Sequence, residues 1–577
     1  MNDGSSSNGR SGATAAATLS GAEALVRMLQ LHGVRHMFGL CCDTSLPFYD
    51  ALARLDHGIV HVLTRDERSA AYMADAYSRV SGRVGVCEGP SGGGATYILP
   101  GVVEANESSS ALLAITTDIS VSARGRFTLT ELDQQSLFRP LTKWNAVIDR
   151  ADKLPEAVRA AFRAMTTGRP GAAHLGVPLD VQRETVSRSE IWGQSDLQKY
   201  PARRAAPDPA EIAAAAEMLI LARRPLIICG GGVLIAGAEA ELLALAELLG
   251  AAVATTVSGK GTIADTHPLS VGVIGSNGGT PMTREIVDKA DLVFFAGCRA
   301  GSVTTEKWRH PRRGTRVIHL DVDPAVIGVN YATEVALVGD ARLALNALAG
   351  AVGSAGDFNA QVEYTALIAD AKRRKFEEFR HFAEDPATPI RPERLVAALN
   401  DVLPDDAVIV ADPGTPCPYL SAYYRLARSG RHFISNRAHG ALGYSMAAAL
   451  GAWYARPGSK CVAVMGDGSF GFTSGELETI VRCKAPLLMV VVSNATYGWI
   501  KAGQKTGFGE RYYSVDFSRT DHAKVAEAYG VKSWRVEDPQ QLRGALAAAA
   551  AHGGPALVDV ISQPLHEAHA PVSEWVV

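Results

Sequence analysis

The stretch that most restricts the fold begins at Cys461-Val462-Ala463-Val464-Met465, a short apolar run, and continues into Gly466-Asp467-Gly468-Ser469-Phe470. A segment reading as a helix follows to Pro486, and then Leu487 to Val492 form a second apolar run that ends at Ser493-Asn494. Such runs, rich in β-branched residues and bounded by turn residues, are strands buried on both faces. Strand, glycine turn, helix and strand make one right-handed βαβ crossover. It sets the Asp-Gly turn beside the end of the second strand, at the carboxyl edge where open α/β sheets bind ligands. There an acid and an amide can converge on one hard cation. Mg²⁺ takes few protein oxygens and leaves its other positions to phosphate and water. Asp467 and Asn494 meet that need, with the Thr496 carbonyl as a third ligand and the backbone of Gly466, Gly468 and Ser469 near a phosphate. Taken alone, Gly-Asp-Gly also describes an ordinary βα turn with a solvated Asp and a capping Asn.

A chain of 577 residues predicts three or four domains, at roughly 150 residues each. Hydrophobic residues at 47% and charged residues at 20% describe a globular protein with ample core. A net charge of -3 without a dense Lys/Arg run argues against a nucleic-acid partner. The eight cysteines form no paired metal-type spacing, so they read as reduced thiols of a cytoplasmic protein. No uninterrupted apolar segment approaches the ~18 residues of a membrane span.

Residues 1–19, rich in Gly, Ser, Asn and Ala, read as a disordered tail rather than a signal peptide. A β/α rhythm over 20–186 predicts a first parallel-sheet domain. It holds the loop Cys41-Cys42-Asp43, the acid Glu67 at a helix start, and a Gly-rich loop from Gly89 to Thr96. After a polar linker, 187–209, a second α/β domain spans 210–350. Its Gly230-Gly231-Gly232 does not extend into a dinucleotide fingerprint. A charged helical connector, 351–390, leads to a third domain over 391–562 and a C-terminal tail, 563–577. The fold class is therefore α/β, with three doubly wound parallel-sheet domains.

The Gly466 to Asn494 pattern resembles the signature of thiamine diphosphate (ThDP) enzymes, with Ser493 where the family usually has a first Asn. Phe38-Gly39, Glu67 with Ala71 to Tyr77, Ser91-Gly92, Gly94-Ala95-Thr96 and Arg139 to Lys143 extend the likeness to the acetolactate synthase-like group. The resemblance implies pyrimidine-binding, central and diphosphate-binding domains, with ThDP and Mg²⁺ as cofactors and FAD or ADP as an option in the central domain. It implies that Glu67 donates to the aminopyrimidine ring, which needs a buried carboxyl of raised proton affinity. A Glu at that position is otherwise a partner for the helix dipole. It also implies that Gly440 accepts from the aminopyrimidine, that Leu442 props the bent cofactor where it would otherwise be a core leucine, and that Thr415 lies against the cofactor. The implied reaction is decarboxylation of a 2-oxoacid to an enamine, then protonation or transfer to an acceptor, by a homodimer or homotetramer with active sites between subunits.

The substrate pocket departs from acetolactate synthase. Trp499 stands where those enzymes carry a small flexible residue, and Gly503 where they carry a tryptophan. Thr130 lies in a stretch that has lost a positioning Gln, and Cys41, Cys42 and Asp43 replace a Pro-Gly-Gly. These changes leave open a 2-hydroxyacyl-CoA lyase acting on an acyl-CoA, and a non-catalytic ThDP-fold binding protein. A flavin- or nicotinamide-linked oxidoreductase fits least. The tail, with His566, His569 and Trp575, is either a disordered end or a cover for the active-site mouth.

Overall fold

The computed structural model describes residues 17–355 and 362–575, and its frame is three six-stranded sheets, each wholly parallel. In the first, β1 (His36–Gly39), β2 (Val60–Leu63), β3 (Gly85–Gly89), β4 (Leu112–Asp118), β5 (Trp144–Val147) and β6 (Ala172–Pro178) lie in the order β2-β1-β3-β4-β6-β5. In the second, β7 (Pro225–Cys229), β8 (Ala252–Thr255), β9 (Ser270–Val273), β10 (Leu292–Ala296), β11 (Arg316–Asp321) and β12 (Val335–Val338) run β9-β8-β7-β10-β11-β12. The third takes the order β14-β13-β15-β16-β18-β17, from β13 (Val408–Ala411), β14 (Phe433–Ser435), β15 (Cys461–Gly466), β16 (Leu488–Ser493), β17 (Lys532–Val536) and β18 (Ala556–Ile561). Leu-Met-Val-Val-Val-Ser of β16 is buried at every residue, as a strand covered by helices on both faces must be.

Each sheet has one place where successive connections leave in opposite directions. These switch points fall between β1 and β3, between β7 and β10, and between β13 and β15. At such a point the loops diverge and leave a crevice outside the carboxyl ends of the strands. Glycines mark all three: Gly39 and Gly89, Gly230 and Gly297, Gly414 and Gly466. The central crevice is a cavity of about 350 Å³ lined by Gly230 to Gly232, Gly297, Cys298 and Asp321.

Four helices position the sites. Helix α1 (Glu67–Ser81) carries the Glu67 carboxyl at its first turn, with the Asp66 side chain capping it by accepting from the Arg68 amide. Helix α2 (Val362–Ala383) falls in the segment read as a charged, exposed connector, but one face of it is buried, with Tyr364, Ile368 and Ala371 in the core of the central domain. Helix α3 (Ser445–Ala455) packs on α1, and α4 (Asp467–Thr473) starts at the acid of the Gly-Asp-Gly turn.

The expected N-terminal tail lies outside the described residues for 1–16. Its last residues differ from the expectation: Thr18–Ser20 pair antiparallel with Thr185–Ser187, because Leu19 finds a buried place there. The C-terminal tail is folded against the body. Asn277 bridges Val572, the Gly278 amide donates to the Pro571 carbonyl, and Ser573 donates to Glu306.

Where α2 meets the central domain, Lys260 pairs with Asp265 at 2.7 Å and Lys372 donates to the Asp265 carbonyl. Lys375 is buried beside them, against the rings of Phe376 and Tyr423, and burial together with the neighbouring lysine charges pulls it down from 10.5 to about 7. Between those two values the unfolded chain holds a proton that the folded chain lacks, so this site adds stability as pH rises and penalises folding at pH 7 and below. Lys375→Met should therefore be more stable than the parent at pH 7 by about 1–3 kcal/mol. In thermal melts from pH 6.5 to 10, that advantage should shrink steadily; a constant offset would contradict a neutral Lys375.

Candidate active site

The third sheet places Asp467 at the end of β15 and Asn494 just past the end of the adjacent strand β16. Asp467 is buried, and its carboxylate is held by three main-chain donors: the amides of Gly468 at 2.9 Å, Asn494 at 2.8 Å and Ala495 at 2.6 Å. Burial pushes this carboxyl up and the amides oppose the push. The loop is drawn tight around the acid: Ala495 takes φ +56°, and the Thr496 hydroxyl donates to the Val515 carbonyl. Among the described residues no group of three or more His, Cys, Asp or Glu could hold a metal. One carboxylate, one amide and one carbonyl are instead the donor set of a hard cation whose remaining ligands are phosphate and water. Asp467, Asn494 and Thr496 lie together on this loop, the Thr496 amide donating to Asn494 Oδ1 at 3.3 Å.

The surrounding residues leave room for a ligand against the backbone. A Cβ added at Gly440 or Gly466 would meet no atom within 4 Å, and Gly440 has φ +76°, which favours glycine. At Gly468 the case is opposite, since an added Cβ would lie 2.7 Å from the Tyr497 ring. Thr415 is buried beside this loop, its hydroxyl 3.6 Å from where a Cβ of Gly498 would lie. Leu442 is half-buried rather than a core residue. Buried Asp412, which accepts from the Tyr444 amide and the Ser445 hydroxyl, is pushed up to about 7 by burial and sits beside the Ser469 hydroxyl.

Ser493, the departure from the paired-Asn pattern, has a clear structural task. Its hydroxyl lies 3.0 Å from His522 Nδ1 and donates to Asp559, which also receives the Arg535 guanidinium. All three members are buried, so this Ser-His-Asp group anchors β16 to β18 and is no exposed nucleophile.

Glu67 belongs to a second group, at the switch point of the first sheet. It is buried at 7% exposure, and burial raises its carboxyl, with the Asp66 charge adding to the effect. A Cβ at Gly94 would lie 3.1 Å from its Oε1, so the Gly89 to Thr96 loop is Gly-rich partly to admit this acid. Glu88 lies behind it. Tyr49 donates to Glu88 Oε2 at 2.8 Å, Oε1 has no partner, and burial pushes this acid up to about 8. Glu88 escaped the sequence analysis, although a Glu inside the buried run Val84 to Gly89 was the available signal. Thr130 donates or accepts with Ser91 at 2.7 Å, which in turn lies 3.3 Å from Thr44. Cys41, Cys42 and Asp43 are exposed on the same loop, Cys42 Sγ donating to Asp43 at 3.2 Å.

No hydrogen bond or ion pair joins Glu67 to Asp467, Asn494, Gly440 or Leu442 among the described residues. The two groups are tied more remotely, by Arg68 donating to the Phe472 carbonyl and the Arg65 amide to Glu476. Trp499 and Gly503 lie on α5 (Gly498–Gly507), directly after the Asp467 loop. Trp499 is half-buried with its ring edge-on to Trp575 of the tail, at 5.2 Å. Gly503 is buried in this helix.

Three family models match the chain: thiamine pyrophosphate (that is, ThDP) enzyme N-terminal TPP binding domain over 19–137, central domain over 212–348, and C-terminal TPP binding domain over 412–560. The chain belongs to the thiamine pyrophosphate enzyme family, within its acetolactate synthase-like group. It is 34% identical to a probable acetolactate synthase large subunit of Methanocaldococcus jannaschii, over 95% of this chain and 92% of that one. An acetolactate synthase large subunit of Parasynechococcus marenigrum is 32% identical, over 95% and 88%. Among the described residues no helix is long and apolar enough to cross a membrane.

Because Tyr497 fills the space over Gly468, Gly468→Ala should force the ring and the Asp467 loop apart. We expect a loss of about 1–3 kcal/mol in stability, as for other overpacked sites. Bound thiamine diphosphate after gel filtration should fall with it; full retention at unchanged melting temperature would show that the close contact is not required.

Proposed function

We propose that this chain is a thiamine diphosphate- and Mg²⁺-dependent lyase or carboligase acting on a 2-oxoacid. The observation that carries the reading is Glu67: buried, raised by burial, and free of any hydrogen bond or ion pair to another residue among those described. A buried, unpaired carboxyl whose proton affinity is raised can donate to a ring nitrogen. A Cβ added at Gly440 would meet no atom within 4 Å, Leu442 stands half-buried two residues on, and Asp467, Asn494 and Thr496 offer a cation the protein share of its ligands. Gly466, Gly468, Ser469 and Thr415 flank the place a diphosphate would take. When bound, thiamine diphosphate supplies the electron sink for loss of CO₂ from a 2-oxoacid. This chain's own part is to hold the cation, bend the cofactor and keep a proton at Glu67.

No hydrogen bond or ion pair among the described residues joins Glu67 to the Asp467 group in one chain, which leaves room for an assembly in which each site is completed across a subunit interface. A homodimer or homotetramer is therefore part of the proposal, checked by light scattering. The acyl-CoA alternative rests on the small residue at Gly503 and on the C-terminal tail, and dependence on a CoA thioester distinguishes it. Trp499, Thr130, Cys41, Cys42 and Asp43 remain candidates for shaping the substrate pocket. The central cavity at the β7/β10 switch point suits a nucleotide, FAD or ADP, with Asp321 raised by burial at its edge; released flavin or ADP in the denatured extract tests this. Eight cysteines free of disulfides support a cytoplasmic location.

The reaction is tested by CO₂ release from a panel of 2-oxoacids with thiamine diphosphate and Mg²⁺ present. Glu67→Gln should lower kcat by about 10²–10⁴-fold, the range of a lost acid–base group, while cofactor binding persists. In the parent, activity should fall as pH rises through the raised Glu67 value, since only the protonated form donates. Release unaffected by Glu67→Gln would defeat the assignment.

A further inference from the structure

Five arginines line the central cavity, and four of them have acidic partners. Arg169 lies 3.8 Å from Glu107, Arg203 pairs with Asp196 at 3.0 Å, Arg204 with Asp340 at 2.8 Å, and Arg299 lies 3.6 Å from Glu107. Arg437 has no carboxylate within ion-pair distance among the described residues. It is half-buried, on the loop between β14 and α3 that also carries Gly440 and Leu442. Its guanidinium lies 5.9 Å from the centre of the Trp499 ring. With the Asn277 amide turned so that its oxygen faces the arginine, that oxygen accepts from Nη2 at 2.8 Å. Both supports are neutral. The Asn277 oxygen also lies 3.2 Å from Nη1 and 3.3 Å from Nε, but it carries no formal charge, so a half-buried guanidinium without a counter-charge is set to receive a planar anion in a forked contact.

Its surroundings point to the reacting site. Trp499 is in the first turn of α5, five residues beyond Asn494, and Arg437 is three residues before Gly440. We propose that Arg437 is a substrate-binding residue that takes the carboxylate of the 2-oxoacid, with Trp499 and Asn277 fixing its plane. This rests on the 2-oxoacid reading above. The chemistry recognised is an oxyanion, and a nucleotide phosphate in the same cavity is the competing source.

The test uses the full chain loaded with thiamine diphosphate and Mg²⁺, in a Glu67→Gln background so that ligands bind without turnover. Pyruvate, 2-oxobutyrate and phenylglyoxylate are titrated calorimetrically, in parallel with pyruvamide, which lacks the carboxylate, and with ADP. Arg437→Ala should weaken the tightest-binding 2-oxoacid by about 10- to 100-fold, the effect of losing a hydrogen bond to a charged group. Arg437→Lys, which keeps the charge but not the fork, should lose less, and pyruvamide and ADP should respond little. Equal 2-oxoacid affinity in both variants overturns the proposal. So does weakening of ADP alone, or an equal effect on pyruvamide, which a merely structural arginine would give. So does the absence of any 2-oxoacid binding in a protein that holds its cofactor. Failure to retain thiamine diphosphate would sink the cofactor reading instead, and the 2-oxoacid titration would still judge Arg437. If Arg437→Ala melts early, Arg437→Lys carries the test.

Discussion

The helix that carries Glu67 and the loop that leads into α3 are held together by the contact of α1 with α3. An added Cβ at Gly451 would fall 2.0 Å from the Met73 carbonyl, so the helices touch backbone to backbone and no larger residue fits. Around this contact the Tyr444 hydroxyl donates to Asp75 at 2.6 Å, and Arg79 bridges Asp75 and Glu104 at 2.9 Å each. Glu104 then accepts from the His439 amide at 2.7 Å. All three charged side chains are buried, and breaking one member of such a set costs about 3–5 kcal/mol. The chain of bonds thus runs from the Glu67 helix to the loop bearing Arg437, Gly440 and Leu442. Packing and loop placement are one constraint.

The three switch points explain why so many glycines are spent on loops. At Gly230 an added Cβ would meet the Gly297 carbonyl at 2.0 Å, so two strand ends at the central crevice approach closer than side chains allow. In the third domain the equivalent turn is open at Gly466 and crowded at Gly468. The same topology therefore leaves a cavity of about 350 Å³ at the switch point of the second sheet, while at that of the third the Tyr497 ring packs over Gly468.

The sequence was most legible where burial is complete. The runs at β7, β13, β15 and β16 are continuous and apolar, and their glycine turns follow at once, so both the sheet edge and the Asp467 to Thr496 group could be placed. Five of the six edge strands went unread: β5, β9, β12, β14 and β17. They are short, and β12 and β17 mix buried with exposed positions, so no continuous run marks them. Two inner strands, β4 and β18, were also passed over, though β4 is buried throughout and its pattern was readable. At the site, Glu67 was found by resemblance, since a lone Glu at a helix start carries no signal of its own. Glu88 and Arg437 were missed because their meaning lies in the partners they lack, which only packing reveals.

The unusual residues of the substrate region also make better sense together than singly. A tryptophan at 499 would be an awkward guest in a flexible pocket, but here it is clamped between the Arg437 guanidinium and the edge of Trp575. Trp575 is carried by a tail whose place depends on Asn277 bridging Val572, and Asn277 is the residue that steadies Arg437. The adjoining Glu574 pairs with Arg309 and lies 3.6 Å from Lys307, which fixes the end of the tail by charge as well as by backbone bonds. Arg437, Trp499 and the C-terminal tail are therefore joined in one set of contacts through Asn277 and Trp575.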